Sequence, residues 1–273
     1  MAKLTDYTAA SRFDSGDILI KDGSGGTKKI TVANAAVEFA GLVSAMNHRN
    51  VYRGKNLGSS LTSTQLAAIQ NGSFDDLFIG DYWSINSKNW RIADMDYFYR
   101  CGDSDFTKHH LVIVPDGSLY NGQMNETNTA TGGYVGSKMY TEGLEDAKTA
   151  FTNAFGDNIL THREYLVNTV TDGRPSAGAW FDSTVELMNE IMVYGTTVYS
   201  VANNGTTVPT LYTVNKQQLA LFQMDPTKIN QRITYWLRDV VSASGFAWVN
   251  SYGAANCYAA SYSDGVRPYA IIG

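Results

Sequence analysis

The chain has 273 residues, 44% of them hydrophobic and 17% charged, with a net charge of −5. That is enough apolar content for one large domain, or a domain with an appendage, and too much for a disordered chain. The acidic balance excludes nucleic acid as a main partner, which needs a basic stripe, and no run of about 18 apolar residues offers membrane insertion. The start, Met1-Ala2-Lys3-Leu4-Thr5-Asp6, lacks the basic-then-apolar order of a secretory leader. Cys101 and Cys257 form no CxxC pair and no disulfide framework, which points to synthesis in a reducing cytosol. The aromatic load is 17 Tyr, 11 Phe and 5 Trp; rings suit half-buried strands and, where Tyr is exposed, binding.

Residues 1–46 read as a small module of their own. Asp17-Ile18-Leu19-Ile20 is a short strand, Gly23-Ser24-Gly25-Gly26 a turn and Lys28-Lys29-Ile30-Thr31 the return strand. Ala36, Val37, Ala40 and Val43 then give a helical period over Val32 to Met46. A unit this small has to pack on something else. Thr62-x-x-Gln65 is a capping box that opens a helix through Leu66, Ala67 and Ile69, closed by Asn71-Gly72. Residues 80–85 and 90–93 predict a hairpin around a turn at Asn86-Ser87-Lys88-Asn89. His109 to Val114 predicts a buried strand stopped by Pro115-Asp116-Gly117. Residues 117–138, rich in Asn, Thr and Gly, read as a long surface loop. Leu144, Ala147, Phe151 and Phe155 share one helix face. A further helix is expected from the box Ser183-x-x-Glu186, with Leu187 and Ile191, and Met188 and Met192, as i, i+4 pairs. From Tyr194 onward the chain reads as short strands and loops, which makes the fold class α+β.

Residues 242–264 carry the functional signal. The window holds no Lys, Arg or Glu. It is built from Ala, Ser, Gly and Asn interrupted by Trp248, Tyr252, Tyr258 and Tyr262. Stiff amphipathic rings set among small polar residues are the composition of a contact surface, whereas a core favours Leu, Ile and Val. The competing reading is a Tyr- and Ala-rich strand pair packed against the fold. Tyr235 to Val241 on one side and Gly265-Val266-Arg267-Pro268 on the other read as rigid brackets, with Arg238 and Arg267 each able to fork onto carboxylates or carbonyls.

Trp236-Leu237-Arg238, the Ser/Asn/Tyr/Ala stretch after it and Gly265-Val266-Arg267-Pro268 together resemble the C-terminus of the variable proteins of diversity-generating retroelements, which carry a C-type-lectin-like fold related to formylglycine-generating enzyme. The body also resembles a family of phage and prophage proteins from gut Firmicutes. The segments that carry this are Gly80 to Trp83, Asn89 to Ile92, His109 to Asp116, Thr131 to Ser137, Gly173 to Ser176, Trp180 to Met188 and Trp236 to Val241. The resemblance implies a C-type-lectin-like domain over 47–273 behind an attachment or oligomerisation module at 1–46. It implies scaffold roles for Trp236, Leu237, Arg238, Gly253, Gly265, Val266, Arg267 and Pro268. It implies contact roles for Ser244, Trp248, Asn250, Tyr252, Ala254, Asn256, Tyr258, Tyr262 and Asp264; simple alternation adds that Trp248, Asn250, Tyr252 and Ala254 share one side of an extended chain.

The function so implied is that of a virion protein, made in the bacterial host cytoplasm, that binds a host surface glycan or protein. Other virion proteins would hold residues 1–46, and a homo-oligomer, by analogy with fibres a trimer, would multiply weak contacts. The alternative is a structural decoration or tail-tip protein that touches other virion proteins alone. Catalysis, metal and cofactor are not expected. His109 and His110, adjacent on a strand, point to opposite faces. Asp94, Asp96, Asp103 and Asp105 could supply oxygens to Ca²⁺, but Asp103-x-Asp105 lacks the glycine and bidentate glutamate of a calcium loop, and an exposed acidic hairpin edge is the favoured reading. Gly23 to Lys28 lacks the phosphate-loop spacing, His162-Arg163-Glu164 has no arranged nucleophile, and no carboxylate pair stands out for glycoside hydrolysis.

Overall fold

The computed structural model describes residues 18–21, 28–31, 45–200, 217–230 and 232–273. Strand β1 (Ile18–Lys21) pairs antiparallel with β2 (Lys28–Thr31), Ile18 opposite Thr31, so the expected hairpin forms. Its turn at 23–26 and most of the helix expected over Val32 to Met46 lie outside the described residues. The last two residues of that span fall in a 3-10 helix, Ala45–Asn50.

The body is mixed α+β, and none of its sheets closes into a barrel. One five-stranded sheet has the order β3-β4-β5-β14-β9, from β3 (Tyr82–Ile85), β4 (Lys88–Met95), β5 (Leu111–Pro115), β9 (Val185–Leu187) and β14 (Pro268–Ile272). A second has the order β12-β11-β10-β13-β6, from β6 (Tyr120–Gly122), β10 (Tyr235–Ser242), β11 (Gly245–Val249), β12 (Ala255–Ala259) and β13 (Asp264–Val266). A long separate hairpin joins β7 (His162–Thr171) to β8 (Arg174–Ser183).

Helix α1 (Ser63–Gln70) starts at the Thr62 capping box, both of whose bonds form, and Asn71 caps its end. Gly72 follows at φ +71°, the left-handed conformation expected of a glycine there. Helix α2 (Glu145–Phe155) buries Ala147, Phe151 and Phe155. Phe151 and Phe155 lie on the tryptophans of the first sheet, with centroids 4.6 Å apart for Trp90 and Phe151 and 6.0 Å for Trp83 and Phe155. The short helices α3 (Glu190–Tyr194) and α4 (Ala220–Met224) complete the core.

The two large sheets are tied by chain crossings. β5 continues into β6, and β13 into β14, so two antiparallel segments pair first in one sheet and then in the other. Arg267 sits at the crossing, fully buried. Its Nε donates to the Pro115 carbonyl and its Nη1 to that of Lys228, each at 3.0 Å, with the rings of Tyr235 and Phe222 against its guanidinium.

Three expectations are corrected. The β3–β4 turn has two residues, Asn86 and Ser87, both at positive φ, because a two-residue turn of this hand matches the strand twist. Residues 117–138 are no surface loop: Tyr120 to Gly122 pairs with β13, and Met124, Ala130, Tyr134 and Ser137 are buried. Ser183 starts no helix. Ser183 ends β8, Val185 to Leu187 pairs with β14, and the helix begins after Asn189, whose side chain accepts from the Met192 amide. The Ser183 hydroxyl does bond Glu186, at 2.8 Å, as a side-chain pair inside the core. Ladder bonds to a buried central strand outweigh a local capping signal.

Candidate functional site

The brackets around residues 242–264 are anchored as rigid elements. Trp236, Leu237, Arg238, Gly265, Val266, Arg267 and Pro268 are all buried. The Trp236 indole donates to the Gly122 carbonyl at 2.9 Å. Arg238 lies across the Glu164 carboxylate, Nη2 to Oε2 3.1 Å and Nη1 to Oε1 3.3 Å, and Tyr269 donates its hydroxyl to the same carboxylate. Beside this pair the Glu186 carboxyl accepts from Tyr134 at 2.7 Å, and burial pushes it up to about 7. Gly253 takes φ +82° at the turn between β11 and β12, and a β-carbon there would stand 2.7 Å from that of Asn230.

None of the nine residues implied as contacts is buried. Ser244, Tyr252, Ala254, Tyr258 and Tyr262 are exposed, and Trp248, Asn250, Asn256 and Asp264 half-buried. Tyr252 is the most open of the large apolar side chains among the described residues, at 84%, and Tyr262 reaches 52%. The structure brings three of the aromatics together. Trp248 stacks on Tyr258 with centroids 5.1 Å apart and 16° between planes, and Tyr262 closes on Tyr258 at 4.4 Å. The Tyr258 hydroxyl is held above its ordinary range by partial desolvation first, then by Tyr262 and Asp264 beside it. The Asp264 carboxylate accepts from the Thr234 hydroxyl.

The alternation expected over Trp248 to Ala254 stops at Val249. Asn250 to Ala254 is a tight turn: the Asn250 side-chain oxygen accepts from the amides of Tyr252 (2.9 Å) and Ala254 (3.1 Å), and its own amide donates to the Ala254 carbonyl (2.9 Å). An Asx-type bond replaces the extended conformation and lifts Tyr252 to the tip. Ser244 lies at the other end of β11, in the turn after β10, away from that tip.

Residues remote in sequence hold the surface in place. Asn128 accepts from the Ser261 amide and hydroxyl (3.2 and 2.6 Å), Gln123 donates to the Ser261 carbonyl, and the Asn125 amide donates to that of Ala260. Tyr194 donates to the Gly253 carbonyl at 3.1 Å. The β7–β8 hairpin tip touches the rim, since a β-carbon on Gly173 would stand 2.7 Å from the Ala243 amide nitrogen. The Asn-rich composition of 117–138 was the one available hint.

The surface carries rings, amides and hydroxyls, and its chemistry is contact: burial of aromatic area with oriented hydrogen bonds. Most of the residues weighed for other chemistry have structural partners. Asp94 is buried against Arg49 and the Ala220 amide. Both His109 and His110 converge on Asp96, the first through its ring (2.7 Å), the second through its amide (2.9 Å), because they precede β5 rather than alternate along it. The His110 Nε2 accepts from the Phe98 amide, and burial lowers that imidazole to about 4. Asp103 pairs with Arg163, and Asp105 is exposed. His162 and Glu164 are buried in β7. Among the described residues no three His, Cys, Asp or Glu side chains are grouped to hold a metal ion. Neither cysteine is in a disulfide; Cys101 is half-buried and Cys257 exposed. No described helix is long and apolar enough to cross a membrane.

In comparisons with known proteins the chain matches no family model, no curated protein and no solved structure.

Proposed function

We propose that the chain is a non-enzymatic phage virion protein that attaches to a receptor on the host bacterial surface through residues 242–264 of a C-type-lectin-like domain. The observation that carries this reading is the contrast across the segment. Every implied contact residue reaches solvent, while its brackets are buried and bonded. Tyr252, Tyr258 and Tyr262 are three of the six exposed large apolar side chains among the described residues, and clustered exposed apolar area marks a binding site. The likeness of Trp236 to Arg238 and of Gly265 to Pro268 to retroelement-diversified proteins supplies the lectin-like fold, and the likeness of the body to phage and prophage proteins of gut Firmicutes supplies the phage context. It also makes the nine positions the ones a retroelement would vary. Residues 1–46 would attach the protein to the particle. The body lacks the disulfides typical of C-type lectin domains, so buried pairs such as Arg238 with Glu164 would hold the scaffold in their place.

The test is co-sedimentation of fluorescently labelled protein with candidate gut Firmicutes, wild type beside Tyr252→Ala/Tyr262→Ala. Both side chains are exposed, so the variant keeps the fold, and a loss of at least tenfold in binding is expected from two aromatic contacts at about 1–3 kcal/mol each. Equal binding would place the receptor surface elsewhere. No binding to a strain that the parent phage adsorbs would favour a structural role in the particle.

A further inference from the structure

Among the described residues strand β12 is an edge strand that pairs with β11 alone. The bonds from the Asn250 amide to the Ala254 carbonyl and from the Ala260 amide to the Ser244 carbonyl, both 2.9 Å, mark the two ends of that ladder as hydrogen-bonded pairs. In the continuous register between them, Asn256 and Tyr258 turn their main chain toward β11, while Ala255, Cys257 and Ala259 turn theirs outward. The Cys257 amide agrees with this placement, since its acceptor is a side chain, the Asn256 amide oxygen at 2.8 Å.

An open edge of this kind is normally guarded by a charge, a proline, a bulge or shortness. Ala255-Asn256-Cys257-Tyr258-Ala259 has no charge and no proline, and its register with β11 runs without a bulge. The other edges of the two large sheets are closed off: β6 and β9 have three residues each, and the segment 55–58 bonds along the outer side of β3.

We propose that β12 pairs antiparallel with β12 of a second copy of this chain, about a two-fold axis at Cys257. The strand is complementary to itself around that residue. Cys257 meets Cys257, Ala255 meets Ala259, and on the opposite face Asn256 meets Tyr258, so no like charges or bulky pairs collide. The Cys257 amides exchange the Asn256 side-chain oxygen for the partner copy's Cys257 carbonyl, and each Ala259 amide reaches an Ala255 carbonyl. Pairing ends there because the Ala259 carbonyl already accepts from the Tyr262 amide, at 3.1 Å. The result is one continuous sheet of ten strands. On the reading of residues 242–264 as the receptor surface, it sets two aromatic clusters side by side, and avidity follows.

Sedimentation velocity of the full chain tests this, together with a short bismaleimide applied to Cys101→Ser protein, in which Cys257 is the one thiol. Across a hydrogen-bonded antiparallel pair the two Cys257 Cα atoms lie about 5.5 Å apart, so rapid crosslinking to a covalent dimer is expected. Cys257→Lys places a charge at the axis on an exposed side chain and is expected to weaken dimerisation at least tenfold with an unchanged thermal transition. Three outcomes overturn the pairing: a monomer at all concentrations, an oligomer that Cys257→Lys leaves intact and the reagent fails to join, or a monomer that captures a host protein through β12. Dimerisation with no cell binding would sink the receptor reading and leave the pairing standing. Cell binding by a monomer would do the reverse.

Discussion

Trp248 and Tyr258 stack across two strands without being direct partners. Trp248 lies opposite Asn256, and Tyr258 opposite Phe246, yet their rings are 5.1 Å apart and nearly parallel. The diagonal contact half-covers the indole and holds Tyr258 upright where Tyr262 can close on it. The cluster is therefore formed before any ligand arrives, and a preformed surface loses less entropy on binding.

Removing Tyr258 should uncover Trp248. Trp83, Trp90 and Trp236 are buried and the half-buried Trp180 packs on Tyr165, so a rise in acrylamide quenching of the Tyr258→Ala variant over wild type reports chiefly on Trp248. The stability cost should be about 0.5–1.5 kcal/mol, the worth of an aromatic pair, and Tyr258→Phe should keep both quenching and stability near wild type. Unchanged quenching in Tyr258→Ala would mean that the stack does not persist in solution.

Glu186 makes stability depend on pH in one direction. Its folded value of about 7 lies above the unfolded 4.5, so between those values the folded state holds a proton that the unfolded chain has released. Stability is full below pH 4.5 and falls as pH rises toward 7. His110, lowered from 6.5 to about 4, acts the other way, its contribution rising with pH over that span. Glu186→Gln removes the first effect and keeps the second. Urea unfolding from pH 4.5 to 8 should show the variant gaining on wild type by an amount on the order of 3 kcal/mol, levelling off above pH 7. A gap that stays constant with pH would show that Glu186 titrates normally.

Arg238 and Glu164 should behave as a unit. Arg238→Met leaves the buried Glu164 carboxylate without its cation and should cost about 3–5 kcal/mol, and adding Glu164→Gln should return much of it. Chemical denaturation of the two singles and the double gives the coupling directly. Additive costs would mean that the two side chains stabilise the scaffold independently.

What was legible in the sequence follows the range of the signal. The Thr62 box, the Leu144 to Phe155 face and the β1–β2 and β3–β4 hairpins are written within a few residues of one another, in local dihedrals and short periods, and each appears in the structure. The exposure of the tyrosines in 242–264 was also legible, because a window of small polar residues and tyrosines has little to offer a packed interior, although Phe246, Ala247, Val249 and Ala260 within it join the core. The same local logic failed where distant partners decided. Ser183 and Glu186 have capping-box spacing, but β14, some 80 residues on, takes Val185 to Leu187 as a strand. The Asn-rich stretch after Gly117 pairs with β13 and seats the Ser261 turn from more than 130 residues away.

Sequence by itself thus determined the local elements and the segment whose tyrosines reach solvent. Tertiary structure alone decided that Asn250 folds the chain back to raise Tyr252, that Trp248 meets Tyr258 and that β12 is left with an open edge. The physical reason is that backbone amides and buried polar groups must all find partners, and where those partners lie far along the chain, spacing within a segment carries no record of them.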